Sequence, residues 1–221
     1  MSPMHYAPEH RELQDRFDSR RLADTLSATI VHDTLDEADL AFIAGRDMVW
    51  LATVDQTGMP TVSYKGGAPG FVKAPDVRTL ELPSYDGNGM FYSMGNIAAT
   101  SGVGLLFMDL ETPFRLRVQG QARIDHDPAA RAPWPGAQFI VRVAISAIFQ
   151  NCPRYVHRHQ RIAASPYVPD ATGAAPVAGW KRIDAIQPAL AAKDQGKAEG
   201  AGGLLTGAEW GAMVASGAPE A

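Results

Sequence analysis

At 221 residues, 46% of them hydrophobic, the chain is long enough for one sizeable core with appended helices or a tail, and too short for two full domains. Its 20 Lys and Arg against 24 Asp and Glu leave a net charge of -4, which argues against a nucleic-acid partner and makes any phosphate site a local one. The charged stretch from Met1 to Arg21 has no signal-peptide core, no later run reaches membrane-spanning length, and the lone Cys152 excludes an internal disulfide, so a cytoplasmic protein with no membrane partner is expected.

From His10 to Ile30 apolar residues recur at helical spacing (Leu13, Phe17, Leu22, Leu26, Ile30), which predicts one amphipathic helix. Thr34 and Glu37 match a capping box opening a short helix, with Leu40 and Ile43 inward and Gly45 as its stop. Residues 1–45 are thus a helical segment expected to pack on the strands downstream of it. Met48 to Val54 and Pro60 to Lys65, joined by Asp55-Gln56-Thr57-Gly58, read as a hairpin. Thr79 to Leu82, Val103 to Met108, Phe114 to Ile124 and Phe139 to Ile148 are further strand candidates, and five or six strands suggest a barrel or a sandwich over 46–165. Between the third and fourth strands, Ser84 to Gly89 is a glycine loop opening a helix from Met90 to Ala99, with Met90, Met94 and Ile97 on one face. Residues 166–221 form a Pro-, Ala- and Gly-rich tail with short helical pieces, anchored at Trp180 to Ile183 and mobile from Ala191 to Gly203.

Four places could carry chemistry. The glycine loop and helix start are suited to an anion, because a helix start leaves N–H groups unpaired; the same residues could form a plain tight turn. Strand alternation puts Ser63 and Lys65 on one face and Tyr64 on the other. The glycines behind them, Gly66, Gly67 and Gly70, either admit a flat ligand or form an irregular bend. Arg115 and Arg117 share one side of a strand and could grip an anion or face solvent. The run Arg154, His157, Arg158, His159 and Arg161 reads as an oligomer contact, with a solvated surface or a nucleic-acid patch as the alternatives, and no third ligand near its histidines supports a metal, so no metal is expected.

In this order and spacing, several segments together resemble the pyridoxamine 5′-phosphate oxidase-related, FMN-binding split-barrel family, from about His10 to Arg161. They are Arg46-Asp47-Met48, Leu51 to Asp55 with Gly58-Met59-Pro60, Ser63 to Val72, Tyr85 to Met90, Gly95-Asn96-Ile97, Val103 to Phe107, Arg115 to Gly120 and Asn151 to Tyr155. The resemblance implies a mainly β (α+β) fold, a six-stranded antiparallel split β-barrel with flanking helices, that dimerises and holds FMN in grooves shared by the subunits. Ser63, Tyr64, Lys65 and Gly66 would line the flavin ring and ribityl chain. Asn88, Met90, Tyr92, Ser93 and Asn96 would lie nearest the phosphate, and Arg115 or Arg117 would come from the neighbouring strand of either subunit.

The implied activity is hydride transfer between FMN and a small-molecule substrate or NAD(P)H, with no residue assigned as catalytic acid or base. A non-catalytic flavin store or redox sensor, or a barrel using haem or a deazaflavin, are the alternatives. True pyridoxamine 5′-phosphate oxidases carry an Arg-rich segment where this chain has Ser63-Tyr64-Lys65, and an Arg-Lys pair where it has Tyr92-Ser93. Those lost cations argue against vitamin B6 oxidation.

Overall fold

The computed structural model of the protein describes residues 4–221, and the chain divides into two compact units, Met1–Arg161 and Ile162–Ala221. The first opens with α1 (Pro8–Arg16) and α2 (Arg20–Thr29). The single helix expected here is broken at Asp18, whose left-handed φ of 47° ends α1, and Ser19 starts the next helix. The third helix, α3 (Glu37–Ala44), is capped two residues later than Thr34: Asp36 accepts from the Asp39 N–H at 2.8 Å, and the Asp39 carboxylate reaches back to the Asp36 N–H. A carboxylate at the helix start also complements the helix dipole, which a threonine does not. Ile43 is buried, Leu40 packs on the core, and Gly45 ends the helix as expected.

The sheet then builds from β1 (Met48–Val54), β2 (Pro60–Gly66), β3 (Lys73–Asp76), β4 (Thr79–Ser84), β5 (Gly102–Asp109), β6 (Phe114–Asp125) and β7 (Phe139–Asn151), with α4 (Tyr92–Thr100) between β4 and β5. All pairings are antiparallel, in the order β2-β1-β5-β6-β7-β4-β3. Seven strands stand where six were expected. The additional one, β3, is a four-residue edge strand containing Pro75, whose polar, proline-bearing sequence gives no strand signal.

Val49 and Leu51 from β1 share one core cluster with Leu80 and Leu82 from β4, although three strands separate β1 from β4 in the sheet. The sheet must therefore coil on itself, as a split barrel does. A register shift at Gln119/Gly120 in the β6–β7 ladder marks where the long strands bend. Gly120 is required there, because a Cβ would run into the Ala144 carbonyl oxygen.

The core-facing set is Val49, Leu51, Thr53 on β1 and Val103, Leu105, Phe107 on β5, so Trp50 and Leu106 point to the opposite, outer face. No helix among the described residues is long and apolar enough to cross a membrane.

In the second unit, Trp180 to Ile183 spans a turn at Gly179–Arg182 from which the buried Lys181 ammonium reaches Asp194 at 2.8 Å. The stretch from Ala191 to Gly203 contains two 3-10 turns, Ala192–Asp194 and Glu199–Ala201. One further helix, α5 (Gly207–Ser216), is closed by a Thr206/Glu209 capping box and by Gly217 in the left-handed region.

Candidate functional site

The site is set by how α4 lies along β1. Thr100 donates to the Val54 carbonyl at 2.7 Å, the Asn96 amide donates to the Thr53 hydroxyl at 3.1 Å, and the Ser93 and Ser63 hydroxyls meet at 3.1 Å. Ser63 itself is the cross-strand partner of Leu51. From Ser93 to Thr100 the helix climbs about 10 Å at ~1.5 Å per residue, and from Leu51 to Val54 the strand advances about 10 Å at ~3.4 Å per residue. Helix and strand therefore run side by side in the same direction. The start of α4 is aimed at the level of Val49, whose partner on β2 is Lys65.

Three properties converge at that end. Phe91 occupies the N-cap of α4 in the left-handed conformation, φ 48° and ψ 28°, and no side chain caps the helix, so its first N–H groups carry their partial positive charge without a side-chain acceptor. Ser63 and Ser93 supply two hydroxyls, and strand alternation puts Lys65 on the same face as Ser63. The Lys65 ammonium is half-buried and has no hydrogen-bond or ion-pair partner among the described residues; burial alone pulls its pKa below the ordinary lysine value. A half-buried cation without an acceptor, two hydroxyls and an uncapped helix start are the groups that make this end a candidate anion cradle.

The predicted residues divide between this cradle and other places. Ser63 and Ser93 meet, with Asn96 one turn behind fixing α4 to Thr53, and Lys65 lies two residues along β2 from Ser63 on the same face. The helix begins at Tyr92, two residues later than expected, and Met90 is exposed in the loop instead of facing inward with Met94 and Ile97. The reason is Asn88, whose side chain accepts from the Met90 N–H at 3.0 Å and holds a turn there. Tyr92 is exposed at the helix start.

Tyr64 lies on the outer face, its ring edge-on to Trp50 at 6.0 Å, and Gly66 leaves room for that ring. The glycines beyond it form a bend: Gly67 packs under the Phe71 ring, and Gly67 and Gly70 donate to the Asp47 and Arg46 carbonyls. Arg115 and Arg117 do share one side, but Arg115 donates to the Cys152 carbonyl at 2.8 Å, whereas Arg117 is exposed, with its guanidinium over Phe149 at 5.9 Å.

Register aligns Tyr64, Trp50, Leu106, Arg117 and Phe149 in one row across β2, β1, β5, β6 and β7. Sequence reasoning missed Trp50 and Thr53 as members of the site. Alternation within β1 separates the two faces, but only pairing shows what each residue meets. The basic run after β7 is tied down, with the Arg158 guanidinium donating to the Glu111 carbonyl and Arg161 paired to Asp47. An open depression of about 670 Å³ beside it, lined by Phe42, Asp109, Phe114 and Arg158 among others, includes none of the cradle residues.

No curated protein sequence matches the chain. Among solved structures, HupZ of Group A Streptococcus is similar at 17% identity, covering 57% of this chain and 100% of that one with a TM-score of 0.45. A candidate pyridoxamine 5′-phosphate oxidase of Lactobacillus delbrueckii is similar at 26% identity (53% and 95% covered, TM-score 0.43). An FMN-binding protein of Syntrophomonas wolfei is similar at 12% identity (63% and 97% covered, TM-score 0.41). The sequence model of the family described as pyridoxamine 5′-phosphate oxidase matches residues 35–168, more than half of the chain and the whole stretch from α3 through β7, so the chain belongs to the pyridoxamine 5′-phosphate oxidase family.

Proposed function

We propose that this chain is a cytoplasmic, homodimeric FMN-binding protein that passes hydride between a small organic molecule or NAD(P)H and the flavin. The observation that carries the reading is the Ser63–Ser93 hydroxyl pair at the uncapped start of α4, with the unpartnered, half-buried Lys65 two residues along β2 from Ser63 on the same face. A phosphate monoester offers the negative charge and the several acceptor oxygens that such a cradle lacks. Ser63, Lys65, Ser93 and the first N–H groups of α4 would hold that phosphate, while Asn96 keeps the helix in place through Thr53. Bound FMN would supply two-electron chemistry at its ring, the protein contributing orientation and charge.

The outer row from Tyr64 through Trp50 to Arg117 offers aromatic surface and a forked cation at the seam where a second subunit would close the groove. The test is an absorption spectrum of the purified protein after FMN addition and removal of unbound flavin, followed by NADH or NADPH under anaerobic conditions. Retained flavin bands that bleach with the nicotinamide support the reading. Flavin retained without bleaching leaves a binding module, and no retained flavin refutes the cofactor assignment.

A further inference from the structure

The hairpin of α1 and α2 is held in shape by polar contacts and leaves its apolar side uncovered. Arg11 donates to Gln14 on its own helix and to Asp24 across the two helices, Arg20 pairs with Asp15, and the Tyr6 hydroxyl donates to the Ala23 carbonyl at 3.3 Å. Yet Leu13, Phe17, Leu22, Leu26 and Ile30 are 37–73% exposed, and Ser27 is the only buried residue of the two helices. A folded amphipathic hairpin with its apolar stripe in water lacks the surface that such a stripe is patterned to meet.

A second uncovered apolar surface lies on the outer face and hairpin tip of β1 and β2, where Val54, Met59, Val62 and Tyr64 are 38–63% exposed. The arm leaves the barrel at the bridge between His32 and Ile148, one residue from Phe149, the β7 member of the outer row. Within the unit Met1–Arg161 both surfaces stay open, so the arm does not cover its own sheet.

We propose that the α1–α2 arm of each protomer lies on the outer sheet face of a second copy, the two arms crossing reciprocally about a two-fold axis; this deepens the homodimer reading and rests on it. Taking roughly 100–150 Å² for a fully exposed aliphatic side chain and 150–250 Å² for an aromatic one, the two surfaces together present about 550–850 Å² of apolar area per protomer. A stable interface buries about 800 Å² per partner, somewhat over half of it apolar. The match favours a second copy over a lipid surface, which would also ask for a basic polar face; here Asp24, Asp15 and Glu12 pair with Arg11, Arg20 and Arg16.

The test is light scattering during size-exclusion chromatography of the full chain. Wild type is expected to be a dimer, and Leu22→Glu combined with Leu26→Glu to raise its dissociation constant by about 100-fold or more with an unchanged circular dichroism spectrum. In a Cys152→Ser background, mixing a Leu26→Cys chain with a Val62→Cys chain and a short bismaleimide should give a covalent dimer that neither chain forms alone. A dimer unmoved by the double substitution, or no cross-link in the mixture, overturns the proposal. A monomeric wild type that still retains FMN overturns the arm contact and leaves the flavin reading standing, and a dimer without flavin does the reverse.

Discussion

Replacing Lys65 by Met should weaken FMN binding while leaving the ligand-free protein at least as stable, because the cation is costly without an anion and valuable with one. Methionine keeps an apolar stem of similar reach, so the change isolates the charge. A charge-assisted hydrogen bond to a phosphate contributes about 1.5–3 kcal/mol, which corresponds to a dissociation constant raised roughly 10- to 150-fold.

The pH dependence has a definite sign. Burial depresses the Lys65 pKa in the folded protein, so between that depressed value and the ordinary 10.5 the unfolded chain binds more protons. The stability of the ligand-free wild type should therefore rise through this alkaline window, relative to the methionine variant. FMN affinity should fall over the same window in wild type and stay flat in the variant, since only the ammonium attracts the phosphate. Flavin fluorescence quenching at a series of pH values, with thermal melts alongside, reads both quantities. A Lys65→Met protein that binds FMN within about twofold of wild type, with the same pH profile, would show that the ammonium faces no phosphate.

Burial lowers the His32 pKa, but the Asp39 hydrogen bond and charge outweigh it and hold the imidazole above its ordinary 6.5. This contribution is fully present below 6.5 and is lost as pH rises through the raised value, so Asp39→Asn should cost more stability at pH ~5.5 than at pH ~8.5 in chemical denaturation, and an equal cost at both would count against it. Burial likewise opposes ionisation of Asp109, yet hydrogen bonds from Thr112 and the Arg46 guanidinium at 2.8 Å bring its pKa down to about 2. Asp109→Asn should cost about 1–3 kcal/mol near neutrality, with the two acid-denaturation curves converging as pH falls through that value. Gly120→Ala should lower stability by about 1–3 kcal/mol or more, because the new methyl has to displace the β7 backbone at the register shift, and a melt unchanged from wild type would place the bend elsewhere.

Much of this fold was legible because its signals are local. The β1 run alternates toward the core, Asp55 and Gly58 make the hairpin turn, and the spacing of Met94 and Ile97 marks the buried side of α4. Errors fell at element ends and wherever a residue acts against its type. A phenylalanine in the left-handed region at a helix cap, an aspartate splitting an otherwise continuous amphipathic pattern, and a proline-bearing edge strand are all set by surrounding packing. Ser63, Lys65 and Ser93 could be named from the sequence as separate candidates, since alternation and helix starts are properties of short segments.

What the sequence could not supply is which of them meet. Lys65 and Arg115 look alike as cations on strands, yet one is left without an acceptor, two residues from the serine that meets α4, and the other is spent on the Cys152 carbonyl. That difference arises from strand register and from the path of α4 along β1. Both depend on contacts between residues far apart in the chain, whose cost and reward are settled only when the sheet coils and closes around its core.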